Sequence, residues 1–177
     1  FGTDITVNGI KIGKGGGNNL ANTAIGSGAL ALNTSGSGST AFGYNALSKS
    51  TAGYATAFGT AALENLTSGT SNVAIGYTAL NQTSTQNSNT AVGDQAMRMS
   101  TGANNTVLGA SALSGAASQT NGNNNTAIGT FVLRNATTAA FNVGVGSNSL
   151  NNINESFFSL SRNKQELIEF NTCILNL

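Results

Sequence analysis

Contact, not turnover, is the chemistry for which this chain carries residues. Histidine is absent and the six acids are scattered, so no pair of carboxylates recurs at a spacing that would set up acid and base roles. Serines abound, but without a base to activate them. Metal binding fares no better, because a calcium-binding nonapeptide roll needs an aspartate in every turn and only Asp94 stands in that region. No cofactor is expected either. Gly13-Lys14-Gly15 has the look of a phosphate loop, yet no Gly-Lys-Ser/Thr and no helix follows, so it reads as a cap or connector. What remains are aromatics at variable positions: Tyr44 and Tyr77 in one column of a repeat, Tyr54 and Phe141 in another, and Phe131 nearby. Aromatic rings among neutral polar groups suit glycan or protein surfaces, which makes these residues the candidate receptor contacts.

The elements that must position them are copies of a nine-residue phrase. It begins as Asn22-Thr23-Ala24-Ile25-Gly26-Ser27-Gly28-Ala29-Leu30 and returns around Gly43, Gly59, Gly76, Gly93, Gly109, Gly129 and Gly146, at steps of 17, 16, 17, 17, 16, 20 and 17 residues. Self-similarity at a nearly fixed short period means that each copy is one structural unit that must stack on its neighbours to bury its apolar face. The expected fold is therefore all-β: a solenoid, or parallel β-roll, of about 17 residues per rung. A unit of this size has room for two short strands and two turns, and stacked at ~4.8 Å the eight rungs make a rod ~40 Å long. The recurring glycine is expected to supply a positive φ at the corner where the strand ends.

Each column of the repeat has its own character. Thr23, Thr40 and Thr56 stand three residues before the glycine and Ile25, Phe42 and Phe58 one before it, so a β-branched column and a large apolar column share one strand face. The opposite face is small throughout, from Ala24 to Gly144. A leucine or methionine column, Leu30 to Leu150, lies four residues after the glycine and reads as a second buried column. Positions just after the glycine vary as an exposed turn would, and stretches such as Asn33-Thr34-Ser35-Gly36-Ser37-Gly38 hold turn formers and absorb the length variation. With both strand faces non-polar, the aliphatic and leucine columns are expected inside and the alanine column against a neighbouring chain.

The phrase Asn-(Thr/Val)-Ala-Ile-Gly followed by Ala-Leu, cleanest at Asn72-Val73-Ala74-Ile75-Gly76-Tyr77-Thr78-Ala79-Leu80, resembles the head repeat of trimeric autotransporter adhesins and is similar to repeats in bacteriophage tail fibres. The resemblance covers roughly residues 22 to 150. It implies a parallel, left-handed β-roll with the aliphatic-glycine positions in the wall, a homotrimeric fibre, an extracellular place on a virion or cell surface, and a role in attachment through a cell-surface glycan or protein.

Composition agrees with an exposed structural element. Charged residues make up 7% of the chain and the net charge is +1, which leaves no field to attract nucleic acid or anionic lipid. No run of ~18 apolar residues is present to span a membrane. Phe1-Gly2-Thr3 lacks both the regions of a signal peptide and an initiator Met, as expected of a fragment or processed product. The lone Cys173 reads as a small packed hydrophobe. The chain divides into a strand and connector at 1–21, with a hairpin signal at Val7-Asn8-Gly9-Ile10; the repeats at 22–150; and a glycine-free cap or connector at 151–177, with a short helix read at Gln165–Glu169. Alternatives to the attachment fibre are a purely structural filament or matrix joined end to end through open rungs, and an ice-binding solenoid. The last needs its threonines outward, whereas a semi-buried site is expected for a column that also accepts Val73 and Val143.

Overall fold

The computed structural model of the chain describes residues 4–17, 19–115, 122–136 and 138–151, and the backbone of 159–161 and 167–169. Among the described residues, twelve strands form one sheet in strict chain order. Strands β1 (Ile5–Val7) and β2 (Ile10–Gly13) are an antiparallel hairpin. Its turn residues Asn8 and Gly9 both have positive φ, 47° and 81°, as a two-residue hairpin loop demands. β2 pairs antiparallel with β3 (Thr23–Ile25). From there β4 (Thr40–Phe42), β5 (Thr56–Phe58), β6 (Val73–Ile75), β7 (Thr90–Val92), β8 (Thr106–Leu108), β9 (Thr126–Ile128) and β10 (Val143–Val145) add one by one in parallel. The register is column on column: Thr40 pairs with Thr56, Ala41 with Ala57 and Phe42 with Phe58. β11 (Ser159–Ser161) adds parallel to β10, and β12 (Leu167–Glu169) turns back antiparallel to β11. Leu167, Ile168 and Glu169, read from sequence as helical, are thus strand; the remainder of that segment and Cys173 lie outside the described residues.

The chain is a β-solenoid of about seven turns with rungs of about 17 residues. Each turn carries one three-residue strand where the sequence suggested two. The far wall is built from turns whose backbone groups also bond from rung to rung: Leu47 N–H donates to the Ala62 carbonyl at 3.0 Å, Leu63 to Ala79 and Leu80 to Ala96. Parallel stacking without a second strand is possible because bends recur at identical places. The eight residues of the leucine column all lie in the left-handed region, with φ between 47° and 52°, a conformation uncommon for side chains of this size. The eight column glycines have φ from 104° to 140°, and a Cβ on Gly43 would stand 2.5 Å from the Gly59 carbonyl oxygen. The corner therefore needs glycine both for its backbone angle and for the closeness of the next rung.

The strand faces are the reverse of those expected. Alanines 41, 57, 74 and 91 are fully buried inside the chain's own coil, facing the fully buried leucine column. Phe42, Phe58, Ile75, Leu108, Ile128 and Val145 are 39–52% exposed on the outside. The reason is the narrowness of the coil: with leucines reaching in from the turn wall, close packing leaves room for a methyl on most rungs and for a valine, the fully buried Val107, on one. One rung shows the exchange of volume directly. Val132 takes a position that is alanine in most copies, and the strand residue that meets its Cγ1 is Gly144, where a Cβ would stand 2.5 Å away.

A polar column closes the core on its other flank. Asn72, Asn89, Asn105, Asn125 and Asn142, the residues that open the phrase, are buried to 0–1% exposure. The first four hand on to the next rung: Asn72 Oδ1 accepts from Asn89 N–H at 3.0 Å, Asn89 Oδ1 from Asn105 N–H, Asn105 Oδ1 from Asn125 N–H and Asn125 Oδ1 from Asn142 N–H. Their amide NH2 groups donate to loop carbonyls such as Gly102 and Gly122. Backbone groups that would be orphaned between strand and loop are thereby satisfied.

Candidate contact site

The solenoid register decides which variable residues meet. Tyr44, Thr60 and Tyr77 each follow a corner glycine on three successive rungs, and their carbonyls accept from Ala61, Thr78 and Gln95 N–H of the following rung at 2.8–2.9 Å. The residue one further on and the residue five after the glycine face the same side. Together these three columns enclose a groove of about 420 Å³ lined by Tyr44, Asn45, Thr60, Ala61, Glu64, Tyr77, Thr78, Asn81, Gln95 and Arg98. Tyr44 and Tyr77 are 58% and 57% exposed. They stand two rungs apart, ~9.6 Å along the rod, with the short Thr60 between them.

The groove's polar groups are held in place. Glu64 Oε1 accepts from Asn45 Nδ2 at 3.4 Å and Oε2 from Asn81 Nδ2 at 3.1 Å, so the carboxylate is gripped from the rungs on either side. Asn81, itself 7% exposed, also donates to the Ala61 carbonyl at 3.0 Å. Arg98 Nη1 donates to Gln95 Oε1 at 3.5 Å at the far end. Thr78 Oγ1 is buried and has no hydrogen-bond partner within the chain.

The other candidate aromatics lie elsewhere. Tyr54 and Phe141 occupy the bend two residues before the strand, both with left-handed φ near 60° and both more than half exposed. Tyr54 N–H donates to the Ser37 carbonyl and Phe141 N–H to the Asn123 carbonyl. Phe131 stands in the column of Asn45 and Thr78, three rungs past Thr78, where the Arg134 guanidinium covers its ring at 4.8 Å. The structure thus joins Tyr44 with Tyr77 and separates Tyr54, Phe131 and Phe141 from them. Glu64, Asn81 and Arg98 went unread in the sequence. Their signal was a column beginning one residue past the leucine, in the part of the unit treated as linker.

A second surface is the outer strand face. Its large apolar column runs the length of the parallel stack, with the Phe42 and Phe58 rings stacked at 4.7 Å and 8° between planes. Beside it runs the threonine column, Thr23, Thr40, Thr56 and Thr106 exposed and the others half-buried. The column lies on the outward strand face; Val73, Thr90, Thr126 and Val143 are semi-buried there, as expected of a column that accepts valine, while Thr23, Thr40, Thr56 and Thr106 are more open than that expectation.

Gly13-Lys14-Gly15 does hold an anion, one from its own hairpin. Asp4 Oδ1 accepts from Lys14 N–H at 2.8 Å and Oδ2 pairs with Lys11 Nζ at 3.2 Å. Burial pushes this carboxyl up, but the Lys14 N–H, the Lys11 ammonium and the Gly15 N–H together outweigh it and hold Asp4 below its ordinary value.

Among the described residues no group of three or more His, Cys, Asp or Glu side chains could hold a metal ion, and no helix is long and apolar enough to cross a membrane. Compared with protein-family models, with curated proteins and with solved structures, the chain gives no significant match in any of the three.

Proposed function

We propose that this chain is a structural and receptor-contacting segment of a trimeric surface fibre, of the tail-fibre or adhesin-head kind, that attaches to a cell surface. The observation that carries the reading is the outer strand face: an apolar column repeated on eight rungs and 39–52% exposed at six of its eight members. Exposed apolar surface this continuous marks an interaction site, and because the column repeats rung on rung, the natural cover is the same face of another copy. Threefold closure around the rod axis follows from the repeat's resemblance. Attachment would then gain from three parallel copies of one weak site, which can raise avidity by roughly 10²–10⁴ when geometry allows all to engage.

Sedimentation of the purified chain, alone and as the Phe58→Asp/Ile75→Asp double variant, tests it. A trimer for the wild type and a folded monomer for the variant are expected, since neither side chain packs in the core. A stable wild-type monomer at micromolar concentration overturns the trimer. The outward threonines favour a second reading, ice binding, for a face left uncovered. Phe42 and Phe58, standing in the adjacent column, interrupt the flat lattice that ice would require. A monomeric wild type that shapes ice crystals would give this reading the lead.

A further inference from the structure

We infer that the groove between Tyr44 and Tyr77 is a saccharide subsite that takes one neutral pyranose residue of a glycan. This rests on the attachment reading above and names the chemistry of its ligand.

The groove's volume of about 420 Å³ falls in the range of small-molecule sites, and its composition is divided in the way a pyranose is divided. A sugar ring has apolar C–H faces and an equator of hydroxyls. Tyr44 and Tyr77 supply two exposed aromatic surfaces, and the Thr60 position between them leaves a gap one rung wide. Had the intervening residue also been aromatic, rings ~4.8 Å apart would have filled the space by stacking on one another. Phe42 and Phe58 do that on the neighbouring face.

The floor supplies the groups that read hydroxyls. Glu64 is an acceptor whose oxygens are oriented by Asn45 and Asn81, so its position is fixed before a ligand arrives. Gln95 and Arg98 offer donors at the other end. Pre-ordered polar groups lose little entropy when a ligand binds. Charge decides the class of sugar. One carboxylate and one guanidinium line the groove, so its charges cancel and it offers an acidic sugar no net attraction, while the pre-ordered acceptor Glu64 suits the hydroxyls of a neutral hexose or N-acetylhexosamine. The groove lies beyond the glycine corner from the outer strand face.

Saturation-transfer NMR on the full chain tests the inference with methyl glycosides of glucose, galactose, mannose and N-acetylglucosamine, and with methyl glucuronide and methyl sialoside as acidic probes. Transfer to the ring protons of at least one neutral glycoside is expected. Tyr44→Ala and Tyr77→Ala should each weaken it by roughly tenfold, Glu64→Gln should weaken it with the fold intact, and Tyr54→Ala should leave it unchanged. Because both tyrosines are more than half exposed, their loss leaves the melting temperature unaltered, and unchanged melts exclude unfolding as the cause. Binding of no neutral glycoside, binding of the acidic probes alone, or binding that survives the Tyr44→Ala/Tyr77→Ala double variant overturns the subsite. Wild type that adheres to cells while no glycoside binds or competes defeats the subsite and leaves the fibre standing, whereas a wild type that adheres to nothing defeats the fibre.

Discussion

A single asparagine per turn shows how much a side chain in this coil does for its neighbours. Asn105 accepts from Asn125 N–H at 2.9 Å, donates to the Gly122 carbonyl at 3.0 Å and reaches Asn89 Oδ1 at 3.2 Å. Asn105→Ala should cost on the order of 1–3 kcal/mol, the penalty for leaving buried backbone groups unpaired, and chemical denaturation of the two proteins measures it. Asn104→Ser, one residue away on an exposed bend whose equivalents include Ser71 and Ser88, should change stability little. The column interrupts itself at Ser39 and Ala55. Ser39 keeps a shorter version, its Oγ accepting from Ala55 N–H at 3.3 Å, whereas alanine has nothing to hand on. The asparagines were visible in the sequence as the first letter of the phrase. Their role was not, because hydrogen bonding between equivalent residues of successive rungs appears only once the rungs are stacked. Glycine was the more legible residue: eight recurrences in register imply a conformational need, and the positive φ angles meet that expectation.

At the scale of the strand, periodicity established which residues share a face but not which face is inside. Thr-Ala-Phe alternates equally well either way, and large apolar side chains suggest the core. The deciding quantity was the space left by Leu47, Leu63 and Leu80 on the opposing wall, a long-range packing term with no signature in three residues. Corrected faces change the mutational expectation. Ala74→Leu should overpack the chain's own interior and cost on the order of 1–3 kcal/mol whatever the oligomeric state, while Leu80→Ala should cost about 2–5 kcal/mol. Thermal melts of both, run over a dilution series, separate this from packing between chains, because a cost inside one chain does not depend on concentration. The N-terminal hairpin has its own control. Asp4 is held below its ordinary value of 3.8, so its contribution is complete above that pH and is lost as the pH falls through the lower folded value. Asp4→Asn should accordingly destabilise at neutral pH and match the wild type in strong acid, as denaturation curves at the two pH values would reveal.

For the whole molecule, the sheet's two ends differ from its middle. The parallel stack is flanked by an antiparallel hairpin on one side and by the antiparallel pair β11–β12 on the other. A reversed strand does not repeat the rung geometry that a parallel neighbour would copy, which works against end-to-end growth through open rungs and favours side-by-side association through the outer face. The repeat itself was the most legible feature, since the period alone dictates a coil of stacked units; whether its outer face takes a partner is a property of several chains and leaves no separate mark on one. Direction matters too. Strand pairing, the leucine-to-alanine bonds of the turn wall and the asparagine ladder all run from rung to rung, along the rod. Tension between the ends therefore loads the bonds joining one rung to the next, and the stack gives way by peeling a single turn at a time. Each released turn of about 17 residues extends to roughly 55–60 Å of chain in exchange for ~4.8 Å of rod. A rod built this way, pulled at its ends, would pay out slack in small repeated steps, and each turn could wind back onto its template when the load falls.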